Sequence, residues 1–295
     1  MIWPLLALSG AVAQAAYSTG VKVLLPRVSP HLLAGISFLV ASGILLSLSF
    51  LAGFPVLSEG FLPAVAVTVA INILATILFY RALAVSDLSL CLPMLAFTPV
   101  FLLLTSFLIL AEVPSAAGIL GICLVAAGSF LLAAREIPRS TSILLAPLTT
   151  LSRDAGVRMM LAVAFLYSVS VNYDKVVVET SDPVFGSAVV LGLLGAVFLA
   201  LTGLSWGRAP LLRGEVPRSR LLLLPAIGLI LVVEAVSINL AYTLSIVPYV
   251  ISIKRLSIFF AVLFGAFFLK EGDIRPRAAG SLVMVAGTVL IALWG

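Results

Sequence analysis

Lys254 and Arg255 stand side by side in the middle of Ile246–Glu271, an apolar stretch long enough to cross a bilayer as a helix. On insertion scales each cation at the centre of a span costs roughly 2.5–3.5 kcal/mol. Ionisable groups at that depth face a cavity, a partner, or both. The sequence offers a partner. The chain turns back near Leu244–Ser245, with Glu234 ten residues before Leu244 and Lys254 ten residues after it. At about 1.5 Å rise per residue, both lie on the order of 15 Å from the turn, near the midplane. Neighbouring helical residues point about 100° apart, so one cation faces Glu234 and the other is left for a substrate carboxylate or phosphate. The competing reading is a structural ion pair that pins two spans together. The two readings are compatible, because a pair that opens on substrate or proton binding is also a gate.

Other polar residues interrupt the apolar spans. Asn72 and Asn239 are the preferred hydrogen-bonding partners for a substrate, with Tyr242 and Tyr249 flanking the charged residues. Asparagines in spans also bind helices to each other, and tyrosines also mark the membrane interface. Gln14 and Tyr17 lie deep in the first span, and Asn172 opens the run Asn172-Tyr173-Asp174-Lys175 near the end of the sixth. Lys175 either snorkels to the surface or pairs with Glu179 one turn on. Lys22, Asp174 and Lys175 are read as gating or structural residues. Pro93, Pro99 and Pro248 fall in the fourth and ninth spans, where proline frees backbone carbonyls and permits a kink.

These residues need a membrane frame to position them. Hydrophobic residues make up 62% of the 295, and charged residues only 10%, against about 25% in a soluble domain. Apolar stretches of helical length fall at about 3–25, 31–53, 61–80, 88–110, 115–134, 157–178, 183–205, 221–243, 246–269 and 276–294. The expected fold is therefore an all-α integral membrane protein with ten transmembrane helices. No basic residue precedes the first stretch, so it reads as a span and not as a cleaved signal peptide. The single histidine, His31, argues against a histidine-based metal site or a Ser/His/Asp triad. Cys91 and Cys123 both lie in apolar stretches and imply no disulfide framework. No metal, cofactor or nucleic-acid partner is expected, and the net charge of +5 reports basic loops.

The two halves repeat. An offset of 159 residues sets Ser86 on Ser245, Glu112 on Glu271, Gly121 on Gly280 and Gly128 on Gly287. An offset of 153 sets Lys22 on Lys175 and Pro30 on Pro183. This gives a first five-helix repeat at 1–134, a linker at 135–156 and a second repeat at 157–295. Five spans per half force the copies into opposite orientations, an inverted repeat. The paired glycines suit close helix packing, and the chain reads as a monomer or homodimer in the lipid bilayer. Arginine and lysine crowd the odd-numbered loops, while the even-numbered loops hold only Glu59, Glu112, Glu179 and Asp182. That asymmetry places the odd loops in the cytoplasm and both termini outside.

With Lys22, Asn172-Tyr-Asp-Lys175, the exits Leu110-Ala-Glu112 and Leu269-Lys-Glu271, and a glycine-rich last span in each half, the chain resembles the EamA-type transporters of the drug/metabolite transporter superfamily. The resemblance covers essentially the whole chain. It departs at the Trp-Gly that often precedes the family lysine, where this chain has Gln14-Ala15 and Tyr167-Ser168. The resemblance also implies cytoplasmic termini, opposite to the loop charges. It implies secondary transport of a small organic molecule across the cytoplasmic membrane by alternating access, often export, without an ATPase. The cations favour an anionic or zwitterionic, amino-acid-like or drug-like substrate. One alternative keeps the fold and flips a lipid-linked anionic head group. An integral-membrane enzyme is the alternative from another class, and the chain offers neither a nucleophile–base set nor a ligand cluster for one.

Overall fold

A computed structural model describes residues 2–24, 27–85, 92–134, 154–204, 223–268 and 278–295. The described residues are helical and contain no strand. A bilayer core offers the backbone no hydrogen-bonding partners, so apolar stretches close their own bonds as helices. The helices are α1 (Trp3–Leu24), α2 (Pro30–Ala52), α3 (Phe61–Val85), α4 (Thr98–Leu110), α5 (Ala116–Ala134), α6 (Ala155–Glu179), α7 (Pro183–Leu204), α8 (Leu223–Tyr242), α9 (Val247–Lys254), α10 (Ser257–Phe268) and α11 (Ala278–Trp294). A 3-10 helix, Leu92–Phe97, leads directly into α4. Among the described residues, five segments are long and apolar enough to cross a membrane: α2, Phe61–Phe79 of α3, α6, α7 and α8. Among the described residues, the fourth and ninth apolar stretches each form two helical pieces.

The chain divides into two compact units. The first takes Met1–Val69 and Asp174–Leu244, the second Ala70–Tyr173 and Ser245–Gly295. Each unit draws on both sequence halves, and the division falls within α3 and α6.

In the first unit α2 packs along α7 and α1 along α8, and α8 also meets α2 and α7. One core joins Ala41 and Leu45 to Ala188, Leu231 and Val232, and a second joins Leu24, Val28 and Leu33 to Ile227. Two helix starts are capped by side chains. Ser29 Oγ accepts from Leu32 N at α2. Asp182 Oδ1 accepts from Val184 N (2.7 Å) and Phe185 N (2.9 Å) at α7, where a carboxylate also meets the positive helix end.

In the second unit α5 and α11 form the closest pair. A Cβ on Gly128 would lie 2.6 Å from Met284 N, and one on Gly287 would lie 2.7 Å from Gly121 O. Only glycine permits that backbone approach, which is the usual device for tight helix pairs in lipid. The 3-10 helix, α4, α9 and α10 also pack on α5. A core of Ala75, Ala82, Met94, Val157, Met160 and Val163 binds α3 and α6 to the 3-10 helix. Most of the expected linker, residues 135–153, and the exit residue Glu271 lie outside the described residues.

Candidate functional site

The ninth stretch breaks at its two cations. The last residue of α9 is Lys254, and Arg255 forms its C-cap. The Arg255 N–H still reaches Ile251 O (3.1 Å), but Leu256 N bonds Ile253 O and Ile258 N bonds Arg255 O, both at 3.0 Å. These are three-residue steps, so the hydrogen-bond ladder tightens and shifts there before α10 begins at Ser257. Lys254 and Arg255 also sit at the negative end of the α9 dipole, where cations are favoured. Both are half-buried.

A polar seam between α3 and α6 leads to Arg255. Thr76 of α3 and Tyr167 of α6 share a side-chain hydrogen bond, and the Arg255 charge acts on the same phenol. Thr76 Oγ1 donates to Asn72 O (2.7 Å), and Asn72 Nδ2 donates to Ser170 Oγ (2.6 Å). On the other side of α6, Asn172 is fully buried and its Nδ2 donates to Ser168 O (2.7 Å) and Thr105 Oγ1 (3.2 Å). Ser168 O only accepts, which fixes the amide orientation. Asn172 Oδ1 then meets no donor among the described residues. Within the second unit Asn72, Thr76, Tyr167 and Ser170 thus form a polar seam that the Arg255 charge reaches, while Asn172 is bonded to Ser168 and Thr105 on the other side of α6. Such an arrangement offers the cations of the break for an anionic group and hydroxyls and amides for the remainder of a polar ligand.

The first unit holds other residues picked out by the sequence. Glu234 of α8 is buried, at 8% exposure, and Tyr242 is buried at 2%. Asn239 Nδ2 donates to Ser187 Oγ (2.5 Å), tying α8 to α7. Gln14 and Tyr17 are half-buried in α1, and Tyr17 packs against both first-unit cores. Asp174 accepts from Thr68 Oγ1 (2.5 Å), and Lys175 lies 3.8 Å from Glu179. Lys22 is in α1, with its side chain outside the described residues. His31 stacks on Phe198.

The prolines occupy three different settings. Pro99 is at the second position of α4, beside the junction with the 3-10 helix that contains Pro93. Pro248 is in the first turn of α9 and not at its break. Tyr249, expected to flank the charges or mark an interface, is buried at 5%, and its hydroxyl accepts from Ser115 N (2.8 Å). The sequence reading passed over Thr76 and Ser170 and noted Tyr167 only as a departure from the family pattern. Thr68, Asn72 and Thr76 recur every four residues in an apolar span, a polar stripe that was open to inspection.

The model of the EamA-like transporter family matches residues 1–134. The likeness is confined to this segment. That family belongs to the drug/metabolite transporter superfamily, and the match together with the apolar helices indicates a multi-pass membrane protein. The EamA match contains Gln14, Tyr17, Lys22, Asn72, Pro93, Pro99 and Glu112. Asn172, Glu234, Lys254 and Arg255 lie beyond it. A protein of known crystal structure is similar over 99% of this chain and 97% of that chain, with a TM-score of 0.77 and 14% identity. At that identity the likeness shows the fold alone. A search of curated proteins gives no sequence match.

Proposed function

We propose that the chain is a secondary transporter that moves a small organic molecule with an anionic or zwitterionic group across the cytoplasmic membrane by alternating access, in the export direction. The observation that carries this reading is the break of the ninth stretch at Lys254 and Arg255. Discontinuous helices are a recurring way to build a substrate site in the middle of a transporter, because irregular backbone at that depth is tolerated where it lines a cavity. Lys254 and Arg255 recognise the anionic group. Asn72, Asn172 and Tyr167 supply neutral contacts within the second unit, and Asn239, Tyr242, Gln14 and Tyr17 are the polar candidates that the first unit holds on its own. Glu234 is a charged determinant in that unit, and Lys22, Asp174 and Lys175 gate or support the spans. Ten spans in two inverted five-helix repeats, with both termini outside, are the arrangement favoured by the 159-residue offset and the loop charges.

The test is a thermal-shift screen of purified protein against amino acids, nucleotides, sugar phosphates and lipid-phosphate head groups. Wild type is compared with Lys254→Gln, Arg255→Gln and Glu234→Gln. A ligand of the native state raises the melting temperature by mass action. The expected result is a shift in wild type that is lost in the two cation variants. A shift that survives in both would remove recognition from the break. A response confined to lipid head groups would move the cargo to a lipid-linked anion.

A further inference from the structure

The exit glutamate of the fourth stretch has a function that its place in the sequence does not reveal. After α4 ends at Leu110, Ala111 adopts a left-handed conformation, with φ 54°. Its N–H bonds Phe107 O, and the Glu112 N–H bonds Ser106 O. The chain reverses there, and the Glu112 side chain is buried at 9% exposure. Its Oε2 accepts from Ser106 Oγ (2.5 Å) and from the backbone N–H of Val247 (2.9 Å).

Val247 is the first residue of α9. The residue before it, Ile246, has no side chain able to cap, and Pro248 has no N–H. Tyr249 N and Val250 N are already bonded to Ile246 O. The N–H of Val247 is therefore the donor at this helix start that needs an outside acceptor, and Glu112 supplies one from a distant part of the chain. A carboxylate at this end and Lys254 with Arg255 at the other both match the helix dipole. Ser115 makes a second attachment, since its N–H donates to the Tyr249 hydroxyl, and Gly118 leaves room for the ring. A helix of eight residues is too short to hold its place unaided.

We infer that Glu112 is a positioning residue. Its carboxylate sets the start of α9 and thereby fixes Lys254 and Arg255 at the break. The inference rests on the proposed role of those cations in recognition. It is tested by two measurements on full-length protein in detergent, one of which needs no ligand. Amide hydrogen exchange is followed across 247–255, and affinity is measured for inorganic phosphate as an anionic probe. Glu112→Ala removes the acceptor, whereas Glu112→Gln keeps an oxygen able to accept from Val247 N.

Glu112→Ala is expected to speed exchange across α9 about tenfold and to weaken phosphate binding about fivefold, the size of effect expected when one buried charge-assisted bond is lost. Glu112→Gln is expected to fall between Glu112→Ala and wild type in both measurements. Adding Glu112→Ala to Arg255→Gln is expected to cause little further loss of affinity, because the two act on one site. Unchanged exchange in Glu112→Ala overturns the inference. So does faster exchange with unaltered affinity when Arg255→Gln binds poorly, because Glu112 would then only stabilise the fold. If neither cation variant alters phosphate affinity, the recognition reading fails by itself, and exchange alone decides whether Glu112 sets α9. If Glu112→Ala does not fold, Glu112→Gln decides by the same two measurements: wild-type exchange and affinity overturn the inference, and an increase in both exchange and dissociation constant supports it.

Discussion

The fourth and ninth stretches break at positions related by the same 159-residue offset: α4 begins at Thr98 and α10 at Ser257. The two breaks are made differently. In the fourth, Pro99 has no N–H to give Leu95 O, and the Thr98 hydroxyl takes that carbonyl instead, at 2.9 Å. The ninth has Ile258 where the fourth has Pro99, and its ladder shifts through Leu256 and Ile258. The residues beside the breaks differ too. Leu95 and Ala96 occupy the places that Lys254 and Arg255 take in the other half. An interrupted helix is thus shared by both halves, and charge marks only one of them. The geometry of the break alone does not specify recognition.

The largest effect expected from that difference is on ligand affinity. Arg255→Gln or Lys254→Gln should weaken binding of an anionic ligand about ten- to a hundredfold, the equivalent of roughly 1.5–3 kcal/mol for a hydrogen bond to a charged group. Leu95→Ala, at the matching place in the fourth stretch, should leave affinity unchanged. Isothermal titration with the anion identified in the screen distinguishes the two. A loss of affinity in Leu95→Ala comparable to that in Arg255→Gln would mean that the breaks act together and that charge does not set them apart.

The next effect concerns how each break is held. Thr98 is buried at 1% exposure. Thr98→Ala leaves Leu95 O without its hydroxyl partner and should lower unfolding stability by about 1–2 kcal/mol. Adding Pro99→Ala restores an N–H that can reach Leu95 O, so the double variant should recover much of the loss. Ile258→Pro should instead destabilise the ninth break, because the Ile258 N–H is bonded to Arg255 O. Thermal unfolding in detergent provides the measurement. Recovery on Pro99→Ala would establish that proline makes the first break, and a harmless Ile258→Pro would show that the second does not depend on its shifted ladder.

The all-helical fold, five of the apolar spans and the cations of the ninth stretch were legible because apolar runs of helical length and charges at their centres are local features. The break itself was less so. Proline drew attention to Pro248, but at the first turn of a helix a missing N–H removes only a donor that has no intrahelical partner. The actual discontinuity has no proline at all. Tyr249 was read as a flanking or interfacial ring because nothing local reveals that Gly118 makes room for it. Glu112 was visible as a repeated motif, but its partner Val247 is 135 residues away and becomes known only once α9 is in place. The Thr68, Asn72 and Thr76 stripe was legible by spacing, and only Asn72 was selected because amides stand out among apolar residues more than threonines do.

A smaller effect tests whether the seam beside Arg255 joins helices or prepares the site. Asn72 and Ser170 are bonded at 2.6 Å. Hydrogen bonds between membrane helices average about 0.6 kcal/mol in double-mutant cycles. Asn72→Ala and Ser170→Ala should therefore show a coupling of about that size in unfolding. If the seam also supports the charged break, each variant should weaken anion binding by a few-fold, with little further loss in the double variant. Coupling in stability with wild-type affinity would limit Asn72 to binding α3 and α6 together, leaving recognition to the cations.

The smallest effect is expected at Lys175, which asks whether any cation in a span would serve. Lys175 lies close to the end of α6, which finishes at Glu179, and it pairs with that residue at 3.8 Å. Glu179 is half exposed, so water screens the pair, and such i,i+4 contacts contribute only about 0.2–0.5 kcal/mol. The Lys175 side chain is itself only 12% exposed, so its methylene stem stays covered. Lys175→Met keeps that apolar stem and removes the charge. It should leave anion affinity unchanged and shift the melting temperature only slightly. An affinity loss like that of Lys254→Gln would make Lys175 part of the recognition machinery and give the anion two cationic stations, one near the end of α6 and one at the break.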